Sequence, residues 1–271
     1  MSETSDDGGI PFPDYALLDR AGASQWMFFP RPDPGPPPPG ASDHEIEVEP
    51  GISISARLYT GTDDAPPRPL VLYFHGNGEV VSDHDGIDRL YREIGLDLFV
   101  TEFRGYGKSG GRPSAAALVG DAMPALEYAA ALQEERGGGP LFVMGRSMGT
   151  QPALEVAARA GDRVRGLIIE SGAASARRSV ARFGLEDEPG AAELIEAHEA
   201  KVRSIRIPSL QIHGAADDLA PIELAAELYD LLENEQREFV PIEGAGHNDI
   251  LWIGRHEYFA AISAFVASVL E

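Results

Sequence analysis

Five short runs of almost unbroken apolar character divide the chain: Leu70-Val71-Leu72-Tyr73-Phe74, Leu98-Phe99-Val100, Leu141 to Met144, Leu167-Ile168-Ile169 and Leu210-Gln211-Ile212. A strand with one wet face alternates apolar and polar residues; one that is apolar throughout is covered on both faces. Helical patterns alternate with these runs near 85–94, 114–135, 149–160, 222–234 and 256–270. That rhythm predicts a doubly wound α/β sheet, mostly parallel, with helices on both sides. Ahead of it, Ile46-Glu47-Val48 and Ile52 to Leu58 alternate apolar with polar, which predicts two antiparallel strands with one solvated face. There is no internal repeat. The 271 residues, 43% of them apolar, suffice for one large domain with a full core.

One joint in this pattern carries chemistry. Gly145-Arg146-Ser147-Met148-Gly149 follows the run Pro140 to Met144 and precedes a helical run from Gln151 to Ala160 that stops at Gly161. Strand, tight turn and helix around Gly-x-Ser-x-Gly is the context of a nucleophile elbow. The turn strains the serine, and the glycines leave room because they carry no Cβ. Ser147 would then stand at the end of the sheet, above a helix N-terminus that favours developing negative charge.

A serine nucleophile needs a base and a carboxylate that orients the base. Of seven histidines, His247 lies in Glu243-Gly244-Ala245-Gly246-His247-Asn248-Asp249, a glycine-rich loop after the strand Glu238-Phe239-Val240. His213 directly follows a buried strand and reads as a structural residue. Asp217, on the same loop, is the candidate acid, with Asp218 or Glu170 as alternatives should Asp217 only cap a helix. The chain order Ser147, Asp217, His247 is the order of a serine–acid–histidine set on such a sheet. Candidate oxyanion donors are the main-chain N–H groups of Asn77, in His75-Gly76-Asn77-Gly78, and of Met148, next to the nucleophile.

Composition excludes several alternatives. Without cysteine there is no disulfide, thiolate nucleophile or thiolate metal site. The net charge of −22, from 44 acidic and 22 basic residues, repels nucleic-acid phosphates and anionic lipid. Met1 to Gly9 is acidic and lacks the features of a signal peptide. No apolar stretch reaches the roughly 18–20 residues of a membrane span, so the expectation is a cytoplasmic protein. Trp26-Met27-Phe28-Phe29 reads as a segment packed on the domain. Gly105-x-Gly107-x-x-Gly110 matches a dinucleotide fingerprint formally, but Gly111 and Pro113 keep a helix from starting at the glycines. His84 among Asp83, Asp85 and Asp88 reads as a helix start rather than a metal site. His198 and His256 read as surface residues.

Four motifs in this order resemble the α/β-hydrolase superfamily: His75-Gly76-Asn77-Gly78, the loop Phe103 to Gly110, the Gly145–Gly149 elbow, and the Asp217 and His247 loops. Within it the chain is similar to the lid-poor serine hydrolases that include acyl-protein thioesterase and serine-aminopeptidase-like members. The resemblance covers roughly residues 44–271. It implies an eight-stranded, mostly parallel sheet and two-step hydrolysis of a small-molecule ester, thioester or amide, without cofactor or metal. Residues 1–43 are then an N-terminal extension whose proline-rich part, 31–41, is a stiff connector. Residues 172–206, with one helix from Ala191 to Val202, are a candidate small lid. The competing reading is a catalytically silent scaffold of the same fold, used for binding.

Overall fold

A computed structural model describes residues 9–33, 35–60 and 68–271; the reading of Met1 to Gly9 as an acidic tail falls almost wholly outside them. Two short helices, α1 (Ala16–Arg20) and α2 (Ser24–Met27), come first. Strands β1 (Ala41–Glu49) and β2 (Ile52–Tyr59) form the expected antiparallel pair. Strand β3 (Leu70–Phe74), helix α3 (Asp88–Glu93), strand β4 (Asp97–Thr101) and helices α4 (Ala115–Gly120) and α5 (Ala122–Glu135) follow. Strand β5 (Leu141–Arg146), helix α6 (Thr150–Arg159) and strand β6 (Gly166–Glu170) form the centre. Helices α7 (Ala176–Arg182) and α8 (Ala191–Arg203) precede strand β7 (Ser209–Gly214). Helix α9 (Ile222–Leu231), strand β8 (Arg237–Ile242) and helices α10 (Ile250–Ile253) and α11 (Arg255–Leu270) complete the described chain.

The eight strands make one sheet in the order β1-β2-β4-β3-β5-β6-β7-β8. Strand β2 pairs antiparallel with both neighbours, and every pair from β4 to β8 is parallel. The unbroken apolar runs explain the layering. Side chains alternate between faces along a strand. Leu70, Leu72 and Phe74 of β3, with Leu141 and Val143 of β5, face the core that holds Leu126 and Leu154. Val71 and Tyr73, with Phe142 and Met144, face the core that holds Tyr91, Tyr258 and Phe265. Helices α5 and α6 thus cover one side and α3 and α11 the other.

The stretch Ala115–Glu135 is long and apolar enough to cross a membrane by length and composition, against the sequence expectation. Here Ala122, Ala125, Leu126 and Ala129 are buried in the sheet's core, so its apolarity has a packing cause. A third cluster joins Tyr15, Leu17 and Leu18 to Ala115 and Val119 of α4 and to Val180 and Leu194 of α7 and α8. The first helices therefore pack on the segment 172–206 rather than trailing from the fold. Of the aromatic run, Phe28 is buried, whereas Trp26 and Phe29 are 70% and 64% exposed.

Candidate active site

Every residue singled out for chemistry lies just beyond the carboxyl end of a parallel strand, where α/β sheets open a crevice. Ser147 follows β5 and has φ of +51°, a left-handed conformation that a non-glycine residue holds only where its surroundings dictate it. The surroundings do dictate it. A Cβ on Gly145 would lie 2.7 Å from Thr150 Cα, and one on Gly149 2.7 Å from the His75 carbonyl oxygen. Only glycine lets strand, turn and helix come this close.

The loops after β7 and β8 bring the partners. The Ala216 N–H donates to the Ala245 carbonyl over 2.8 Å, joining the two loops. Ser147 Oγ is 2.8 Å from His247 Nε2, and His247 Nδ1 is 2.7 Å from Asp217 Oδ2. With Nδ1–H donating to the carboxylate, Nε2 is left to accept the serine proton. Asp217 Oδ1 accepts from the N–H groups of Leu219 and Ala220 at 3.0 and 2.7 Å, so the same carboxylate caps its own turn and faces the imidazole. Asp218 is exposed, and Glu170 is tied to Arg146 and Tyr258; neither is bonded to His247. His213 donates from Nε2 to the Ala220 carbonyl at 2.7 Å and lies 3.3 Å from Asp217 Oδ2. Burial lowers its pKa and keeps it a neutral buttress of the acid.

The loop after β3 is held from several sides. The Asn77 side chain donates to the Met27 carbonyl at 2.6 Å and accepts from the Phe29 N–H and the Tyr106 hydroxyl at 3.0 and 2.6 Å. None of these bonds uses the Asn77 main-chain N–H. The Met148 N–H belongs to the first turn after the elbow, where helix donors have no partner within the helix. His75, wholly buried, bonds Glu102 at 2.9 Å. Burial works against its charge, but Glu102 outweighs burial and raises its pKa.

Two residues that the sequence reading passed over join these loops. Arg146 pairs with Glu79 and with Glu170, and donates to the His247 carbonyl at 3.1 Å and to Asn248 Oδ1 at 2.8 Å. Glu79 accepts the Gly76 N–H at 2.8 Å. One guanidinium and one carboxylate therefore connect the elbow, the Asn77 loop and the His247 loop. The available signal was Arg146 itself, a charge placed inside an otherwise apolar strand end.

The remaining motifs have structural roles. The glycine loop 105–111 turns back, and α4 starts only after Ser114, whose side chain caps it. Asp83 pairs with Arg31, Asp85 with Arg57, and Asp88 accepts the Gly86 N–H. His256 is exposed, but His198 is 1% exposed, which corrects its reading as a surface residue. It bonds the Tyr15 hydroxyl at 2.7 Å and the Ala174 carbonyl at 2.6 Å. Arg104 pairs with Asp121 and Glu49.

A family model described as serine aminopeptidase, S33, matches residues 65–187. Protein bem46 of Schizosaccharomyces pombe is 28% identical over 230 residues, spanning 82% of this chain and 75% of that protein. Lysophosphatidylserine lipase ABHD12 of Danio rerio is 28% identical over 203 residues, 66% of this chain and about half (52%) of the relative. Among solved structures, the Pyrococcus furiosus esterase Pf2001 superposes with a TM-score of 0.68 at 18% identity, covering 90% of this chain and 98% of its own. The sheet order and these likenesses together give the chain the α/β-hydrolase fold.

Proposed function

We propose that the chain is a serine hydrolase that cleaves a carboxylic ester or thioester through an acyl-serine intermediate. The observation that carries this reading is the continuous hydrogen-bonded chain from Ser147 Oγ through His247 to Asp217, at 2.8 and 2.7 Å, on a strained elbow. Ser147 Oγ bonds the substrate carbonyl carbon while His247 Nε2 takes its proton. The carbonyl oxygen, now an anion, accepts from the Asn77 and Met148 N–H groups. The bond to the leaving group breaks, and Nε2 returns the proton to it. Water repeats both steps and releases the acid and Ser147. Asp217 fixes the His247 tautomer and stabilises the imidazolium. The esterase and lipase names among the similar proteins support hydrolysis as the reaction class.

A fluorophosphonate probe tests the reading. Wild type is labelled, whereas Ser147→Ala and His247→Ala are not. Turnover of a short p-nitrophenyl ester falls by about 10⁴–10⁶-fold in Ser147→Ala. Wild-type turnover in that variant removes the assignment, and a folded wild type without labelling points to the silent scaffold. The family description also favours an amidase, so an aminoacyl p-nitroanilide belongs in the same assay.

A further inference from the structure

On the α3 and α11 side of the sheet lies a cleft of about 560 Å³ that neither Ser147, Asp217, His247, Asn77 nor Met148 lines. That volume is in the range of small-molecule sites. Ile87, Leu90, Leu251 and Trp252 supply an apolar wall, and Arg146, Glu79 and His84 a polar one. His84 is 5% exposed, yet its Nε2 has no hydrogen-bond partner among the described residues. Glu79 Oε2, 3.9 Å away, is beyond reach and already accepts the Gly76 N–H. The Tyr73 ring stands against His84 at 4.8 Å between centroids and offers it no partner. A buried polar atom without a partner is costly, a cost that an entering ligand group would relieve.

The wall also selects the group. Four carboxylates and two guanidiniums line the cleft, and Arg31 and Arg57, paired with Asp83 and Asp85, bring the charges to balance, so an ion of either sign meets no surplus of opposite charge. The carboxylates are already engaged: Glu79 and Glu170 with Arg146, Asp83 with Arg31, Asp85 with Arg57 and Tyr59. An ammonium group would give up water for carboxylates already neutralised. Burial holds His84 neutral, its pKa pushed down to about 4, so Nε2 donates in one tautomer and accepts in the other. A hydroxyl both donates and accepts, and so suits both.

We infer that this cleft is a second binding site, for a neutral alcohol with a short alkyl chain, whose hydroxyl meets His84 Nε2 and whose chain lies against Leu90 and Trp252. Arg146 and Glu79, which line it, also hold the His247 and Asn77 loops, so its occupant adjoins the groups that position both. Any effect on turnover rests on the serine-hydrolase reading; the binding itself does not.

Calorimetric titration of Ser147→Ala protein tests the site with three probes of one chain length: 1-hexanol, hexanoate and hexylammonium. Saturable one-to-one binding of 1-hexanol is expected, with both charged probes at least tenfold weaker. Adding His84→Phe, or separately Trp252→Ala, weakens 1-hexanol at least fivefold. Trp252 is 84% exposed, so that second variant leaves the fold intact. No saturable 1-hexanol binding, a preference for either charged probe, or binding indifferent to both variants overturns the inference. The result stands whether or not Ser147 proves to be a nucleophile.

Discussion

Arg146 sits between Gly145 and Ser147, at a position the elbow leaves free, and its guanidinium holds four groups, on two loops and at the end of β6. Burial disfavours its charge, but the charges of Glu170 and Glu79 more than offset burial and raise its pKa. Glu170 shows the converse balance: burial raises its pKa against the pull of Arg146. Such a cluster is consequential when one member goes, because the remaining charges stay buried without a partner. Arg146→Met is expected to cost about 3–5 kcal/mol of stability, measured by urea unfolding at pH 7. Arg146→Lys keeps a charge but not the planar fork that reaches His247 and Asn248 together. It should retain most of the stability and lose about tenfold or more in kcat on the p-nitrophenyl ester. A lysine variant with unchanged kcat would show that the bond to the His247 carbonyl does not position the base.

The N-terminal elements act as a clasp. Met27 and Phe29 bond the Asn77 side chain, Arg31 donates to the Gly78 carbonyl at 2.7 Å, and the Tyr106 hydroxyl bridges the Phe29 N–H and Asn77 Oδ1. Tyr106→Phe removes that bridge and no apolar contact. If Asn77 places an oxyanion donor, kcat should fall about three- to tenfold while KM and the pH profile hold, since one neutral hydrogen bond is worth about 1 kcal/mol. A change in KM alone would assign the clasp to substrate binding instead. These elements also mark how far the sequence could be read. All eight strands and the serine, acid and histidine loops were legible because their signals are local: unbroken apolar runs, a glycine on each side of Ser147, glycines before His247. The clasp was not, because its hydrogen bonds join residues 29 to 77 apart and each end looks ordinary by itself. His198 was misread for the same reason. Its neighbours Glu196 and Glu199 suggest a wet face, while its partner Tyr15 lies 183 residues away.

At the scale of the whole molecule, two electrostatic effects oppose each other as the pH falls. Acidification from neutrality toward the isoelectric point near 4.6 discharges a chain of net charge −22 and relieves self-repulsion, which favours the folded state. The buried histidines act the other way. His198 donates from Nε2 to the Ala174 carbonyl and accepts at Nδ1 from the Tyr15 hydroxyl, itself bonded by Lys201 at 2.9 Å. A second proton on the imidazole would break that order beside a buried cation, and burial with Lys201 pushes its pKa down to about 4. His84 is likewise pushed down to about 4, chiefly by burial. Each group is neutral when folded and takes its proton more readily when unfolded. Each therefore contributes stability in full above the ordinary histidine value of about 6.5 and loses it as the pH falls toward 4. The loss is on the order of 3 kcal/mol for each. His75, whose pKa is raised, acts on the alkaline side: its contribution is complete below about 6.5 and is lost as the pH rises through its folded value. Salt separates the opposing effects, because surface repulsion is screened and buried imidazoles are not. In 0.5 M NaCl, the urea midpoint should fall steadily between pH 6.5 and 4.5. In His198→Asn the starting stability is lower, but the slope over that interval should be clearly shallower than that of wild type. A midpoint that rises on acidification in high salt, or an unchanged slope in the variant, would mean that these imidazoles do not govern acid stability.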